Sequence, residues 1–226
     1  MAPVTFRGKA KLYDLAAALP IIAWYGMGLW FGLPNFLSAY LELSDGPLTL
    51  LPIARTLAQL SYLAFTAFLI ALLLIRVTPV RKSTGLAPRL TALLGAFLAV
   101  GFLYLPPANL SAFPAFVAMA LIVGGMAMSI YTLSWLGRSF SIVPEARGLV
   151  TDGPYAYVRH PLYACEEIAI LGTAMQFAQP WSLLLLIVHL MLQLARMRYE
   201  EEVLAAAFPQ YAAYAARTAR LVPELY

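Results

Sequence analysis

The sequence predicts an all-α fold, a polytopic transmembrane helical bundle, and three observations predict it. Hydrophobic residues make up 62% of the 226 positions and charged residues only 12%, with a mean hydropathy of +0.77, a balance far more apolar than that of a water-soluble domain. Several uncharged runs reach the roughly 20 residues that a helix needs to cross a hydrocarbon core of about 30 Å. Proline, glycine and charged residues punctuate those runs, as turns between helices require.

The first run, Leu15–Tyr40, is too long for the apolar part of a signal peptide and lacks a small-residue cleavage site, so it is expected to stay as a helix. Leu50–Ile75, Leu90–Leu105 and Ala112–Leu136 follow as clear spans. Leu162–Ala178 and Trp181–Ala195 are shorter arms divided by Gln179–Pro180, which predicts a helical hairpin and a total of five or six spans.

Basic residues gather at Arg7, Lys9 and Lys11, at Arg76, Arg81, Lys82 and Arg89, and at Arg138, Arg147 and Arg159. The intervening connections carry Glu42 and Asp45 or, around Pro106–Ser111, no charge. Because positively charged loops stay inside, both termini, the loop Gly137–His160 and the tail Arg196–Tyr226 are expected on the cytosolic face of a bacterial inner membrane. They could form one site. With no internal repeat or long linker, a single membrane domain is expected, with residues 1–135 as a four-helix membrane part and 136–226 as the core that carries the chemistry.

Cys165 is the only cysteine and His160 and His189 are the only histidines, which rules out an internal disulfide and argues against a metal site. The net charge of +4 sits in short loops, where it orients the chain in a bilayer; no nucleic-acid partner is expected. Gly124, Gly125, Ala127 and Ser129 form a small-residue stripe suited to close helix packing, and His189 and Gln193, four apart, suit interhelical hydrogen bonds.

Two polar blocks remain. In the first, Leu136–Val143 leads into Gly148–Tyr163, a turn-rich stretch in which Gly153–Pro154 suits a tight turn and Pro161 the first turn of a helix, leaving Arg159 and His160 at its entrance. A helix start offers unpaired N–H groups to an anion; a membrane-interface loop with Tyr155, Tyr157 and Tyr163 as an aromatic belt is the plainer alternative. In the second, Arg196, Glu200, Glu201 and Glu202 precede Leu204, Phe208, Tyr211 and Tyr214 in a helical pattern. Those acids fit either a solvated amphipathic helix on the membrane or carboxylates that accept hydrogen bonds from ribose hydroxyls or an ammonium group. Glu166 and Glu167 open an apolar helix, where unpaired carboxylates are costly and a role in the site or a salt bridge to Arg159 or Arg196 is expected.

Together, Gly153-Pro154-Tyr155, Arg159-His160-Pro161-x-Tyr163 and the later Arg196, Glu200, Glu201, Leu204 and Phe208 resemble the isoprenylcysteine carboxyl methyltransferase and phospholipid methyltransferase family of integral membrane enzymes. The resemblance covers Leu136 to Pro223. It implies S-adenosylmethionine as cofactor, held by Gly153, Pro154, Tyr155, His160, Pro161, Tyr163, Glu200 and Glu201, and a lipid or lipophilic acceptor positioned by Arg196 with Arg159 in support. Glu166 and Glu167 are added as candidates for the acceptor side. Pro209 and Cys165 stand where the family usually has glycine. The acceptor implied is an isoprenylcysteine-like carboxylate or a lipid amine. An NADPH-dependent membrane reductase of the steroid 5α-reductase type and a non-catalytic membrane scaffold stay open as alternatives, because architecture alone does not fix function.

Overall fold

The computed structural model describes residues 4–222; the side chain of Arg7, and Pro223 with the rest of the tail to Tyr226, lie outside the described residues. The helices are α1 (Val4–Asp45), α2 (Leu50–Ile75), α3 (Ala87–Phe97), α4 (Ala112–Leu136), α5 (Pro161–Met175), α6 (Trp181–Ala207) and α7 (Tyr211–Arg217). A tighter 3-10 stretch, Leu98–Tyr104, prolongs α3. Five segments are long and apolar enough to cross a membrane: Gly8–Asp45, Leu50–Ile75, Ala87–Tyr104, Ala112–Ser139 and Trp181–Ala207. The chain is an integral membrane protein. With 15 residues, or about 22 Å at 1.5 Å per residue, α5 is shorter than each of these five segments.

Two boundaries differ from the sequence reading. The last apolar arm does not stop at Ala195, because α6 continues through Arg196 and the three glutamates to Ala207. The acids therefore ride on the extension of a spanning helix, and the chain turns only at Phe208 and Pro209, where a proline ring cannot continue the ladder. The first helix also extends well past both ends of its apolar run, with Pro20 and Pro34 inside it.

Lipid-facing and packed surfaces separate clearly. Trp30 and Phe113 are each 76% exposed, a state that suits hydrocarbon and not water. Between helices, shape does the work, since lipid tails are as apolar as the side chains they compete with. Gly125 shows this: a Cβ there would lie 2.6 Å from the Ala169 nitrogen and 2.8 Å from the Cys165 carbonyl oxygen, so α4 and α5 touch backbone to backbone. The hydroxyls of Thr56, Thr66, Thr132 and Thr173 fold back onto the carbonyls four residues earlier, at 2.8 to 3.0 Å, which removes their polarity from the apolar interior.

The loops that join helices meet in two sets. At one end, a two-residue ribbon pairs β1 (Arg81–Lys82) with β2 (Glu145–Ala146) in antiparallel register. At the other, Ala108 N–H donates to Gln176 and Ala178 N–H to Pro106, each at 2.9 Å. The first end is fastened by charge. Asp14, on α1, accepts from Arg76 Nε at 3.0 Å and from Arg147 Nη2 at 2.7 Å, and all three residues are buried. Burial pulls the Arg147 guanidinium toward its neutral form, but hydrogen bonding to Asp14 and the charge of Glu145 outweigh it and raise its pKa.

Candidate active site

The two polar blocks come together along the seam between α5 and α6. On α6, His189, Gln193, Arg196 and Glu200 follow spacings of four, three and four, which places them on one face. On α5, Tyr163, Glu166 and Glu167 face them. His189 Nδ1 lies 2.7 Å from Glu167 Oε1, and Gln193 Nε2 donates to Glu166 Oε2 at 2.9 Å. Arg196 Nη1 donates to Gln193 Oε1 at 2.7 Å and Nη2 to the Ile142 carbonyl at 3.2 Å. Its guanidinium carbon stands 4.9 Å over the Tyr163 ring, a cation–π contact. The Tyr163 hydroxyl donates to Glu200 Oε1, while the His160 and Tyr163 rings stack at 5.6 Å.

The neighbouring acid does something else. Glu201 accepts from Arg159 Nε at 2.8 Å and from Arg220 Nη2 at 2.6 Å, with His160 Nε2 at 3.1 Å from the same carboxylate. Arg159 further donates to the Ala215 carbonyl at 2.8 Å and to that of Thr218. The chain after α7 thus folds back onto the entrance of α5, where Arg159 N–H donates to Ala219 and His160 N–H to Arg220, at 2.9 and 3.0 Å.

A cavity of about 1010 Å³ opens from this seam. At the seam it is lined by His160, Tyr163, Glu166, Arg196, Glu200 and Tyr211; away from it, by Trp24, Phe31, Phe65 and Leu103 of the lipid-embedded helices. Among the described residues, Arg196 Nε and the Tyr211 hydroxyl are buried without a hydrogen-bond partner, an arrangement that costs free energy unless a ligand completes it. Burial pushes the Tyr211 phenol above its ordinary range and that of Tyr214 up to about 12, so both hydroxyls keep their protons at physiological pH. These orphaned polar atoms suit a polar ligand.

Of the residues singled out from sequence, Tyr155, Arg159, His160, Tyr163, Glu166, Arg196 and Glu200 line the cavity. Pro161 is the first residue of α5, after His160 at the N-cap position, and Glu167 is turned to His189. Gly153 and Pro154 build the short 3-10 turn Gly153–Ala156; Gly153 has φ +58° and a Cβ there would sit 2.4 Å from the Trp135 indole, so its place is to let that turn press on α4. Glu201 is among the charges that bind the tail. Neither Glu166 nor Glu167 forms the salt bridge expected with Arg159 or Arg196, because the amide of Gln193 stands between Glu166 and Arg196. Sequence reasoning missed Tyr211 and Gln193 as site residues; Gln193 carried the signal, as a polar side chain in an apolar helix one turn before Arg196.

Residues 113–211 match the family model described as phospholipid methyltransferase. The cobalt-zinc-cadmium resistance protein CzcN of Cupriavidus metallidurans is 36% identical over 109 residues, covering 47% of this chain and 50% of the relative. The nickel-cobalt-cadmium resistance protein NccN of Alcaligenes xylosoxydans xylosoxydans is 33% identical over 110 residues, covering 48% and 52%. The chain spans about half the length of these curated relatives.

Proposed function

Given that the segment 113–211 belongs to the phospholipid methyltransferase family, a family of integral membrane methyltransferases, we propose that the chain transfers a methyl group from S-adenosylmethionine to a lipophilic acceptor that reaches the site from the bilayer. The observation that carries this reading is that one cavity joins a charged seam to aromatic walls of the apolar helices. One molecule would meet the polar end and another the apolar one.

The donor, when bound, supplies a methyl group already activated by its sulfonium, so the protein has mainly to align two molecules and keep water out. Glu200 would accept hydrogen bonds from the donor's polar groups, with Tyr163 fixing its carboxylate and Tyr211 adding an unspent donor. His160, stacked on Tyr163, would close the same wall. Arg196 and Glu166 would face the acceptor. Arg196 is met by Gln193, Ile142 and the Tyr163 ring but keeps Nε unpaired among the described residues, whereas Glu166 has Gln193 as its hydrogen-bond partner. A lipid amine would place its nitrogen toward the Glu166 carboxylate, and Glu166 would be the group to receive the amine's proton, whereas an isoprenylcysteine-like carboxylate would turn to Arg196 Nε. The metal-resistance names of the relatives would then bear on this chain through the methylated product.

Purified protein incubated with isotopically labelled S-adenosylmethionine and bacterial membrane lipid is expected to yield a labelled lipid detectable by mass spectrometry. Calorimetry is expected to show binding of S-adenosylhomocysteine in the micromolar range typical of such ligands and none of NADPH. The reverse preference would replace the methyltransferase with the reductase reading.

A further inference from the structure

The cavity has a second polar region far from the seam. Asn35 of α1 and Gln59 of α2 both line it, and neither side-chain amide has a hydrogen-bond partner among the described residues. The two helices are in register there: the Thr56 hydroxyl donates to the Ala39 carbonyl at 3.0 Å, and a Cβ on Gly32 would lie 3.0 Å from Leu63 and Tyr62. Asn35 falls between those levels, opposite Gln59. Gln59 lies about 5 Å along the axis from the midpoint of Leu50–Ile75 at 1.5 Å per residue, and both amides belong to segments long and apolar enough to cross a membrane; Asn35 is exposed and Gln59 half-buried. Arg55, one turn nearer the far end, is occupied by Glu42 at 2.9 Å.

Unmet amides in lipid are expensive, and polar side chains at such depth mark the path of a ligand. Between this pair and the seam the wall is mostly apolar, with Trp24, Phe31, Phe65 and Leu69; Tyr62 and Thr66 also line it, the Thr66 hydroxyl being spent on the Tyr62 carbonyl at 2.8 Å. Leu69 packs with Ile142, whose carbonyl accepts from Arg196. From Gln59 to Leu69 the α2 axis runs about 15 Å. The volume of about 1010 Å³ is about three times the roughly 300 Å³ of the smallest ligand pockets, which leaves space for a chain besides a compact polar ligand.

We propose that Asn35 and Gln59 form a second binding subsite that accepts an oxygen-bearing group, a hydroxyl or carbonyl, carried on the acceptor's hydrocarbon chain about 15 Å from the methylated end. An amide supplies both donors and an acceptor, so either oxygen function satisfies it, whereas a plain chain leaves both amides unmet. The inference rests on the reading of the cavity as the acceptor's path, and selects among acceptors by their chains.

The test uses the full-length protein in nanodiscs and two matched pairs of probes: octadecylamine with 12-hydroxyoctadecylamine, and octadecanoic acid with 12-hydroxyoctadecanoic acid. Binding is read by native mass spectrometry. For the head group that binds, the hydroxylated chain is expected to bind about fivefold more tightly than the plain one, the worth of one net hydrogen bond. Asn35→Leu with Gln59→Leu should erase the preference while leaving binding of the plain chain. Equal binding of the two chains to the parent protein, no binding of either, or a preference that survives in the double variant overturns the proposal; the parent comparison decides alone if the variant does not fold. S-adenosylhomocysteine binding, measured on the same samples, is independent of chain preference. Its failure removes the methyltransferase reading and leaves the chain result standing.

Discussion

Glu201 accepts a hydrogen bond from Arg159 Nε at 2.8 Å, and that pairing turns one of two adjacent acids away from the cavity. Consecutive residues on a helix point about 100° apart, so Glu200 faces the cavity while Glu201 faces the tail. Their substitutions should therefore separate. Glu200→Gln should weaken S-adenosylhomocysteine binding by about tenfold, since hydrogen bonds to a charged group are worth roughly 1.5–3 kcal/mol. Glu201→Gln should leave affinity within about twofold and lower the thermal unfolding temperature, because Arg159 and Arg220 lose their anion. Calorimetry and thermal unfolding in detergent check both, and equal affinity losses would put both acids in the ligand site.

The Asp14 clamp makes a prediction about stability alone. Asp14→Asn keeps the shape but removes the anion from between Arg76 and Arg147, which are 5% exposed. Breaking a buried pair on one side costs about 3–5 kcal/mol, so unfolding should shift clearly. Asp14→Asn with Arg76→Met should recover part of the loss, since fewer cations then share the site. A shift no larger than that of a surface substitution would show that the network contributes little.

Most of the membrane architecture was legible in the sequence because uncharged runs of bilayer length have few other uses. The extent of α6 was not. Arg196 and the glutamates look like the end of a span, yet α6 carries them onward, and their partners come from α5 and the tail, which no local pattern announces. Asp14 was hidden in the same way: it stands just before the apolar run at Leu15 and among basic residues, and its meaning depends on Arg147, which lies 133 positions on. The motif residues were visible as a group, but the division between those that line the cavity and those that brace it follows from helix facing. Glu167 and Glu201 brace; Glu166 and Glu200 line.

Sidedness follows from charge. Single cysteines introduced in the β1–β2 region at Thr84 or in the turn at Asp152, on a Cys165→Ala background, are expected to react with a membrane-impermeant maleimide only from the cytosolic face, because positive loops are retained there. A cysteine at Asn109 should react only from the other face. Labelling of Asp152→Cys from outside would invert the chain.

Gln193 carries the sharpest catalytic prediction. Gln193 is 1% exposed, and its amide lies between a carboxylate on one helix and a guanidinium on its own, with 2.9 and 2.7 Å contacts. In a low-dielectric site two such charges attract strongly, and without a spacer Glu166 and Arg196 would draw together and leave the acceptor's side of the cavity. Gln193→Leu should therefore reduce single-turnover methyl transfer by about tenfold to a hundredfold, the scale of misplacement in a reacting pair, while S-adenosylhomocysteine affinity changes little. Arg196→Ala should give the same division between turnover and donor binding. Because Gln193 acts through Glu166 and Arg196, adding Gln193→Leu to an Arg196→Ala protein should cost little more, as expected for residues that work as one unit. Full additivity of the two losses, measured after both variants are shown to fold, would mean that Gln193 does not position Arg196.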